Sequence, residues 1–330
     1  MSFIRATSRV ARSVTAATRL YSTEAGTKNS NLPLYLLGAG LVAAGAYGYT
    51  TFGKAESEKP KKVLTSALDP QKFVDVKLKR VEPYNHNTSI FVFELPEGQA
   101  SLLPVSSCVY LKAEDLKDAN GKPMVRPYTP ISPSDLEGEL SFIIKKYETG
   151  NVSKYVHSLG PGDTLAVKGP VPKWPWKMNE FEEVGLIAGG TGIAPMYQVL
   201  QHVLADKSNK TKFKLLFANI SEVDILLCQE LDAMKKKYPN TFDVVYVLDK
   251  PSEKWKGLSG YINADLIKQH IAPPSLGEKV KVFVCGPPPQ VGAIAGKKAG
   301  REQGELGGIL KELGYTENQV GFTSSQHSSR

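Results

Sequence analysis

The stretch Val184-Gly-Leu-Ile-Ala-Gly-Gly-Thr-Gly-Ile-Ala-Pro-Met196 decides how the rest of the chain is read. Val184, Leu186, Ile187 and Ala188 make a short apolar run of the kind a buried strand needs. Gly189, Gly190 and Gly192 break it. Ile193, Met196, Val199, Leu200, Val203 and Leu204 then recur at helical spacing, which predicts a helix. Pro195 suits the first turn of that helix, where its missing N–H leaves nothing unbonded. Strand, glycine turn and helix together present free N–H groups and a positive dipole end, and the glycines let a phosphate approach the backbone. A tight turn that binds nothing has the same local pattern. The fingerprint Gly-x-Gly-x-x-Gly fails at its third glycine, where Pro195 stands. The loop is a phosphate-binding candidate of another kind.

The 330 residues leave room for two domains plus extras, and an apolar content of 41% is enough for real cores. The formal charge of +8 is compatible with a membrane surface or an acidic protein partner. No Lys/Arg run is interleaved with aromatics in the body of the chain, so nucleic acid is not an expected partner. Cys108, Cys228 and Cys285 are odd in number and far apart, and the five histidines form no His-x-x-x-His pair. Neither a disulfide framework nor a metal site is expected.

Met1–Thr23 carries Arg5, Arg9, Arg12 and Arg19 among Ser, Thr and Ala, with no acidic residue, which is the composition of a mitochondrial targeting segment. Leu32–Phe52 has no charged residue and is long enough to span a bilayer as a helix. Tyr47, Tyr49 and Phe52 suit an interface, with Lys54 beyond it. Lys54–Ser66 reads as a charged linker. From Ala67 to Lys177 short apolar and alternating runs are punctuated by Gly, Pro and Asn, which suggests an antiparallel β-barrel. Residues 179–330 alternate strands with helices, as in an open, mostly parallel α/β sheet. In such sheets ligands bind outside the carboxyl ends of the strands, and Gly189–Gly192 and Cys285-Gly286 both fall at such ends. The expected fold is thus a β-barrel followed by an α/β domain, behind an N-terminal transmembrane helix.

Four patterns line up in this order: Arg126-Pro-Tyr-Thr-Pro-Ile-Ser132, Ile144-Lys-Lys-Tyr-Glu-Thr-Gly-Asn-Val-Ser153, the glycine loop, and Val284-Cys-Gly-Pro-Pro-Pro289. Lys173-Trp-Pro-Trp176, Leu215-Leu-Phe-Ala-Asn219 and Asp224-Ile-Leu-Leu227 accompany them. Over Ala67 to Val320 the chain resembles the ferredoxin–NADP reductase superfamily and, within it, the NADH–cytochrome b5 reductases of fungal mitochondrial type.

The resemblance implies a barrel that binds FAD and an α/β domain that binds NADH. Arg126 and Pro127 would lie at the FAD phosphates, with Tyr128 and Thr129 against the flavin edge. Ile143, Ile144 and Lys145 would lie beside the flavin or its ribityl chain, and Tyr147 at the adenosine side. Gly150, Asn151, Val152 and Ser153 would form a second phosphate cradle. Gly189, Gly190 and Gly192 would approach the NADH pyrophosphate, and Thr191 would also touch the flavin. Cys285, Gly286 and Pro287 would lie near the nicotinamide. Asp249 would face the adenine ribose and disfavour a 2′-phosphate by charge. Thr129, Thr191 and Cys285 would be the residues nearest the reaction. Three departures stand out. Asn151 and Val152 replace the family's usual Lys-Met, Ile220 stands where Gln is common, and Val320-Gly-Phe322 continues into a Thr/Ser-rich tail ending at Arg330.

The implied activity is NADH oxidation through FAD, with electrons delivered singly to cytochrome b5 or a similar acidic haem protein. The implied location is the mitochondrial outer membrane, or the intermembrane space after cleavage behind the anchor. A reductase for a quinone or a ferric chelate, and a membrane scaffold or NADH sensor without turnover, are the alternatives.

Overall fold

In the computed structural model, residues 63–297 and 304–322 are described. The targeting segment, the expected anchor, most of the linker and the tail beyond Phe322 lie outside them. Among the described residues no helix is long and apolar enough to cross a membrane.

The first domain is built on strands β1 (Thr65–Ser66), β2 (Val74–Asn85), β3 (Thr88–Glu94), β4 (Gln99–Ala100), β5 (Ser107–Lys117), β6 (Pro123–Tyr128), β7 (Glu139–Lys145) and β8 (Thr164–Pro172). Helix α1 (Asn151–Ser158) crosses from β7 to β8. Six of the strands form one antiparallel sheet in the order β6-β5-β8-β2-β3-β7. The sheet curls until its edges meet, and the Ile131 amide donates to the Ser141 carbonyl at 2.8 Å. Period-two alternation along the strands turns Leu78, Phe91, Phe93, Leu111, Leu140 and Phe142 inward, each essentially inaccessible. Val152 and Val156, four residues apart on α1, face that same core.

The second domain contains β9 (Glu183–Gly189), α2 (Ile193–Val203), β10 (Lys212–Asn219), α3 (Cys228–Lys237), β11 (Phe242–Leu248), β12 (Leu258–Ser259), α4 (Ala264–His270), β13 (Val280–Cys285), α5 (Pro288–Ala295), α6 (Gly308–Glu312) and β14 (Val320–Phe322). All strand pairs are parallel, in the order β12-β11-β10-β9-β13-β14. Helices cover both faces, so β9 and β13 are buried along nearly their whole length rather than alternating. Leu186 and Ala188 pack on one side with Phe283 and Cys285, and Ile187 packs on the other with Val282 and Val284. Strand order reverses between β9 and β13, which puts the switch point beside the glycine turn.

Three local differences from the expected elements have physical causes. β6 carries Pro123 and Pro127, which suit only a sheet edge, and β6 is the edge of its sheet. The apolar spacing over Val223–Lys237 predicts a single helix, and that helix is broken. Glu222–Asp224 makes a short 3₁₀ turn, buried Ile225, Leu226 and Leu227 tuck into the core, and Leu227 takes a left-handed φ of 56° before α3 begins. The Pro287-Pro288-Pro289 run opens α5, where proline is tolerated at the first helical positions.

The domains meet along an apolar seam with a few directed bonds. Ile143, from β7 of the barrel, is fully buried in the core of the nucleotide domain. Removing such a side chain from water contributes about 1.5–3 kcal/mol. Gln198 on α2 fastens the Ser107 backbone at both ends, accepting from its amide at 3.1 Å and donating to its carbonyl at 2.9 Å.

Candidate active site

The glycine turn takes the shape its residues require. Gly190 has φ of 51°, and a side chain there would meet nothing within 4 Å, so its backbone borders open space. Gly192 is glycine for the opposite reason, because a Cβ would overlap the Cys285 carbonyl at the end of β13. A Cβ on Gly189 would overlap the Gln290 side chain and crowd Pro287. The two strands flanking the switch point therefore touch through their glycines, and Cys285, Gly286 and Pro287 lie against Gly189–Gly192. α2 follows with Pro195 in its first turn.

Motifs of the barrel reach the same place. The Tyr147 hydroxyl lies 3.1 Å from the Thr191 hydroxyl. Burial pushes the Tyr147 phenol up to about 12, with the nearby Cys285 thiol adding to the rise. Burial likewise raises Tyr128 well above the ordinary phenol range, with Tyr147 as a neighbouring contributor. The resemblance gives Tyr147 and Thr191 separate places, and the structure brings their hydroxyls together. Thr129 is buried beside Tyr128. Ile143 and Ile144 alternate, the first side chain in the nucleotide domain and the second in the barrel core. Both side chains are packed in protein, so only their backbone remains for a flavin. Lys145 continues the strand and extends to Asp224, Nζ to Oδ1 3.3 Å.

The second cradle is a helix start. Gly150 is the N-cap of α1, no side chain caps the helix, and its first turn holds no acidic residue. Ser153 sits inside the first turn rather than capping it, donating to the Gly150 carbonyl at 3.0 Å and accepting from the Tyr147 amide at 3.3 Å. The loop is drawn tight, and the start of α1, with no side-chain cap and no acidic residue, offers a positive dipole end that fits an anionic phosphate. Asn151 turns aside to Met124, Nδ2 to Sδ 3.5 Å, and Val152 is buried. Neither supplies charge there. Half-buried Arg126 on β6 donates from Nη1 to the Val125 carbonyl at 2.9 Å.

A cleft of about 510 Å³ opens at the carboxyl ends of the nucleotide-domain strands. Lys145, Tyr147, Gly190, Asn219, Asp224 and Asp249 line it, with Ile220 and Tyr261 at its mouth. Asn219 is buried, yet both polar atoms of its side chain lack a hydrogen-bond partner, as does Gln290 Nε2. Buried amides left open at a cleft wall fit a polar ligand such as a dinucleotide. Burial alone would raise the Asp224 carboxyl, but the Ser221 hydroxyl and Lys145 hold it below its usual value.

Sequence reasoning missed Asn219, Asp224, Tyr261 and Gln290 as site residues. They stand on three separate stretches, Asn219 and Asp224 sharing one loop, that meet only once the sheet order is known. Asn219 and Asp224 did fall within quoted family patterns, and Asn219 ends a strand facing the switch point, which was the usable signal.

A flavin-type barrel joined at the switch point to a parallel dinucleotide sheet defines a two-domain oxidoreductase with FAD as cofactor and a nicotinamide dinucleotide as substrate. The model of the oxidoreductase FAD-binding domain matches residues 75–176, and that of the oxidoreductase NAD-binding domain matches residues 186–295. The chain is 44% identical to NADH-cytochrome b5 reductase 2 of Mycosarcoma maydis, covering 94% of each chain. It is 44% identical to the protein of the same name from Phaeosphaeria nodorum, covering 96% of this chain and 99% of that one. Among solved structures it is similar to the cytochrome b5 reductase domain of Ulva prolifera nitrate reductase, at 27% identity and a TM-score of 0.67, covering 78% of this chain and 99% of that one. It is also similar to the CS-b5R domains of human Ncb5or in their NAD+ form, at 28% identity and a TM-score of 0.59, covering 76% and 69%. The chain belongs to the fungal NADH–cytochrome b5 reductase family of the ferredoxin–NADP reductase superfamily.

Proposed function

We propose that this reductase oxidises NADH and delivers the electrons to cytochrome b5 while anchored by its N-terminus in the mitochondrial outer membrane. The observation that carries the reaction is the meeting of barrel and nucleotide-domain motifs at one point, with Tyr147 and Thr191 hydroxyls 3.1 Å apart beside Cys285. When bound, FAD accepts a hydride from NADH and releases electrons one at a time.

The protein's part is to bind, orient and exclude water. Arg126 and the amides at the start of α1 hold the FAD phosphates, by charge and by the helix dipole. Gly190 leaves room for the NADH pyrophosphate, and Gly192 lets the end of β13 close on the loop. Buried Cys285 sets the depth of the pocket beside the nicotinamide. Tyr147, with its phenol at about 12, stays protonated at neutral pH and acts as a hydrogen-bonding group rather than a base. Asp249, at the end of β11, repels a 2′-phosphate and favours NADH over NADPH.

Support for the acceptor is the name shared by the fungal relatives. The steady-state rate with cytochrome b5 should exceed that with a quinone or a ferric chelate at equal concentration, and the reverse order would reassign the acceptor. Support for the anchor is the uncharged run Leu32–Phe52 behind the Arg-rich Met1–Thr23, with the intermembrane space as the location of a form cleaved behind it. Each arginine at the centre of a spanning helix costs about 2.5–3.5 kcal/mol on insertion scales. Changing Ala43 and Ala44 to Arg should therefore move the protein to the alkali-soluble fraction. Retention in the pellet would mean that this stretch is not the anchor.

A further inference from the structure

The charge of the dinucleotide cleft runs against its ligand. Its lining holds three charged side chains, Lys145, Asp224 and Asp249, so two carboxylates face one ammonium where an anionic pyrophosphate has to enter. Asp249 has a use at the ribose. Asp224 has none in the reaction, yet it is only 8% exposed and carefully held. Its Oδ2 accepts the Ser221 hydroxyl at 2.7 Å, its Oδ1 pairs with Lys145 Nζ at 3.3 Å, and His86 Nε2 stands 3.9 Å away. The backbone on either side is pinned to the barrel. The Val223 carbonyl accepts from Asn85 Nδ2 at 2.9 Å, and the Leu227 amide donates to the Tyr84 hydroxyl at 2.7 Å. The carboxylate thus comes from one domain and the ammonium from the other, both on fixed supports.

We propose that Asp224 is a positioning counterion. It holds the Lys145 ammonium at the cleft and competes for it with the phosphates of the dinucleotide, keeping nucleotide binding weak enough for the oxidised product to leave. The inference rests on the reading of this cleft as the NADH site. An acid that merely braces the seam and a counterion make opposite predictions. Removing a brace loosens the cleft and weakens nucleotide binding. Removing a competing anion frees Lys145 and strengthens it.

The test is titration of the FAD-loaded protein with NAD+ and NADH, together with steady-state kinetics, for the parent, Asp224→Asn, Lys145→Gln and the double variant. Asp224→Asn keeps the shape and an acceptor for Ser221 while removing the charge. The dissociation constant for NAD+ should fall on the order of fivefold. The KM for NADH should fall with it, product inhibition should tighten, and kcat should fall where release limits turnover. Because an unneutralised Lys145 then meets the phosphates, the salt dependence of KM should steepen. Lys145→Gln should weaken binding, and in that background Asp224→Asn should change the KM far less than it does alone. A parent that binds no nucleotide would overturn the reading of the cleft and the counterion with it. A parent that binds, with an Asp224→Asn variant that binds equally or more weakly, overturns the counterion alone. Loss of flavin or a lower melting temperature in Asp224→Asn assigns Asp224 to bracing and overturns it as well.

Discussion

At the scale of single residues, the chemistry depends on where small groups stand rather than on their reactivity. Cys285 is buried at the end of β13 with its carbonyl against Gly192. On the proposed reading of the site, replacing it with Ala removes bulk beside the nicotinamide. A displacement of about 1 Å between reacting groups can cost around a hundredfold in rate. Cys285→Ala should therefore lower kcat strongly, change the KM for NADH less, and leave a normally yellow protein, the pattern of an interaction expressed in the transition state. Bleaching by NADH at the parent rate would reduce Cys285 to packing. Asp249 makes the other residue-scale prediction. A carboxylate close to a 2′-phosphate is repelled by roughly 1 kcal/mol or more. Asp249→Thr should raise kcat/KM for NADPH more than it alters that for NADH, and an unchanged ratio would displace Asp249 from the ribose.

At the scale of elements, the glycine turn and the strand beside it behave as one piece. Gly192→Ala would push the turn off the Cys285 carbonyl, an overpacking that costs about 1–3 kcal/mol. The variant should keep FAD but lose reduction by NADH, measured as bleaching of its flavin. Full activity would mean that the two strand ends are not in contact. The strand-turn-helix itself was legible because Val184–Ala188 and the helical repeat after Gly192 carry different periods in the sequence. The edge strand β6 was hidden by Pro123 and Pro127, which argue against a central strand but not against an edge. The broken helix before Cys228 was hidden for another reason. Asp224, Ile225 and Leu227 continue a helical pattern locally, and only core packing and the Ser221–Asp224 bond pull them out of it. The glycines could be read because one strand end carries them, whereas Asp249, which also lines the cleft, was named only by the resemblance. Asn219, Asp224 and Tyr261 could not be read, because the cleft assembles them across the sheet.

At the scale of the whole molecule, a buried lysine sits where the last strand joins the second domain. Lys281 on β13 is 1% exposed, lies over the Trp174 ring at 3.8 Å and donates to the Asn318 carbonyl at 2.6 Å, which ties in the segment leading to β14. Burial lowers its pKa to about 8. The unfolded chain then binds more protons than the folded one from about pH 8 to the ordinary lysine value, so stability rises with pH over that window, by up to about 3 kcal/mol. Tyr147 and Tyr315 are pushed the other way, to about 12, so their contribution is lost as pH climbs beyond the ordinary phenol value near 10. The melting temperature should rise from pH 8 toward 10 and then fall, and Lys281→Met should flatten the rise. A rise of equal slope in the variant would place the titration elsewhere.

On the proposed function, barrel and nucleotide domain bring NADH and FAD together at the Tyr147–Thr191 junction and pass the electrons outward to a haem. Double-mixing stopped flow in the absence of oxygen tests it most directly, first with NADH and then with cytochrome b5. The flavin absorption should bleach on the first mix and return on the second as the haem band of the reduced cytochrome appears. Flavin that stays yellow with NADH, or that bleaches and then leaves the cytochrome oxidised, would contradict it.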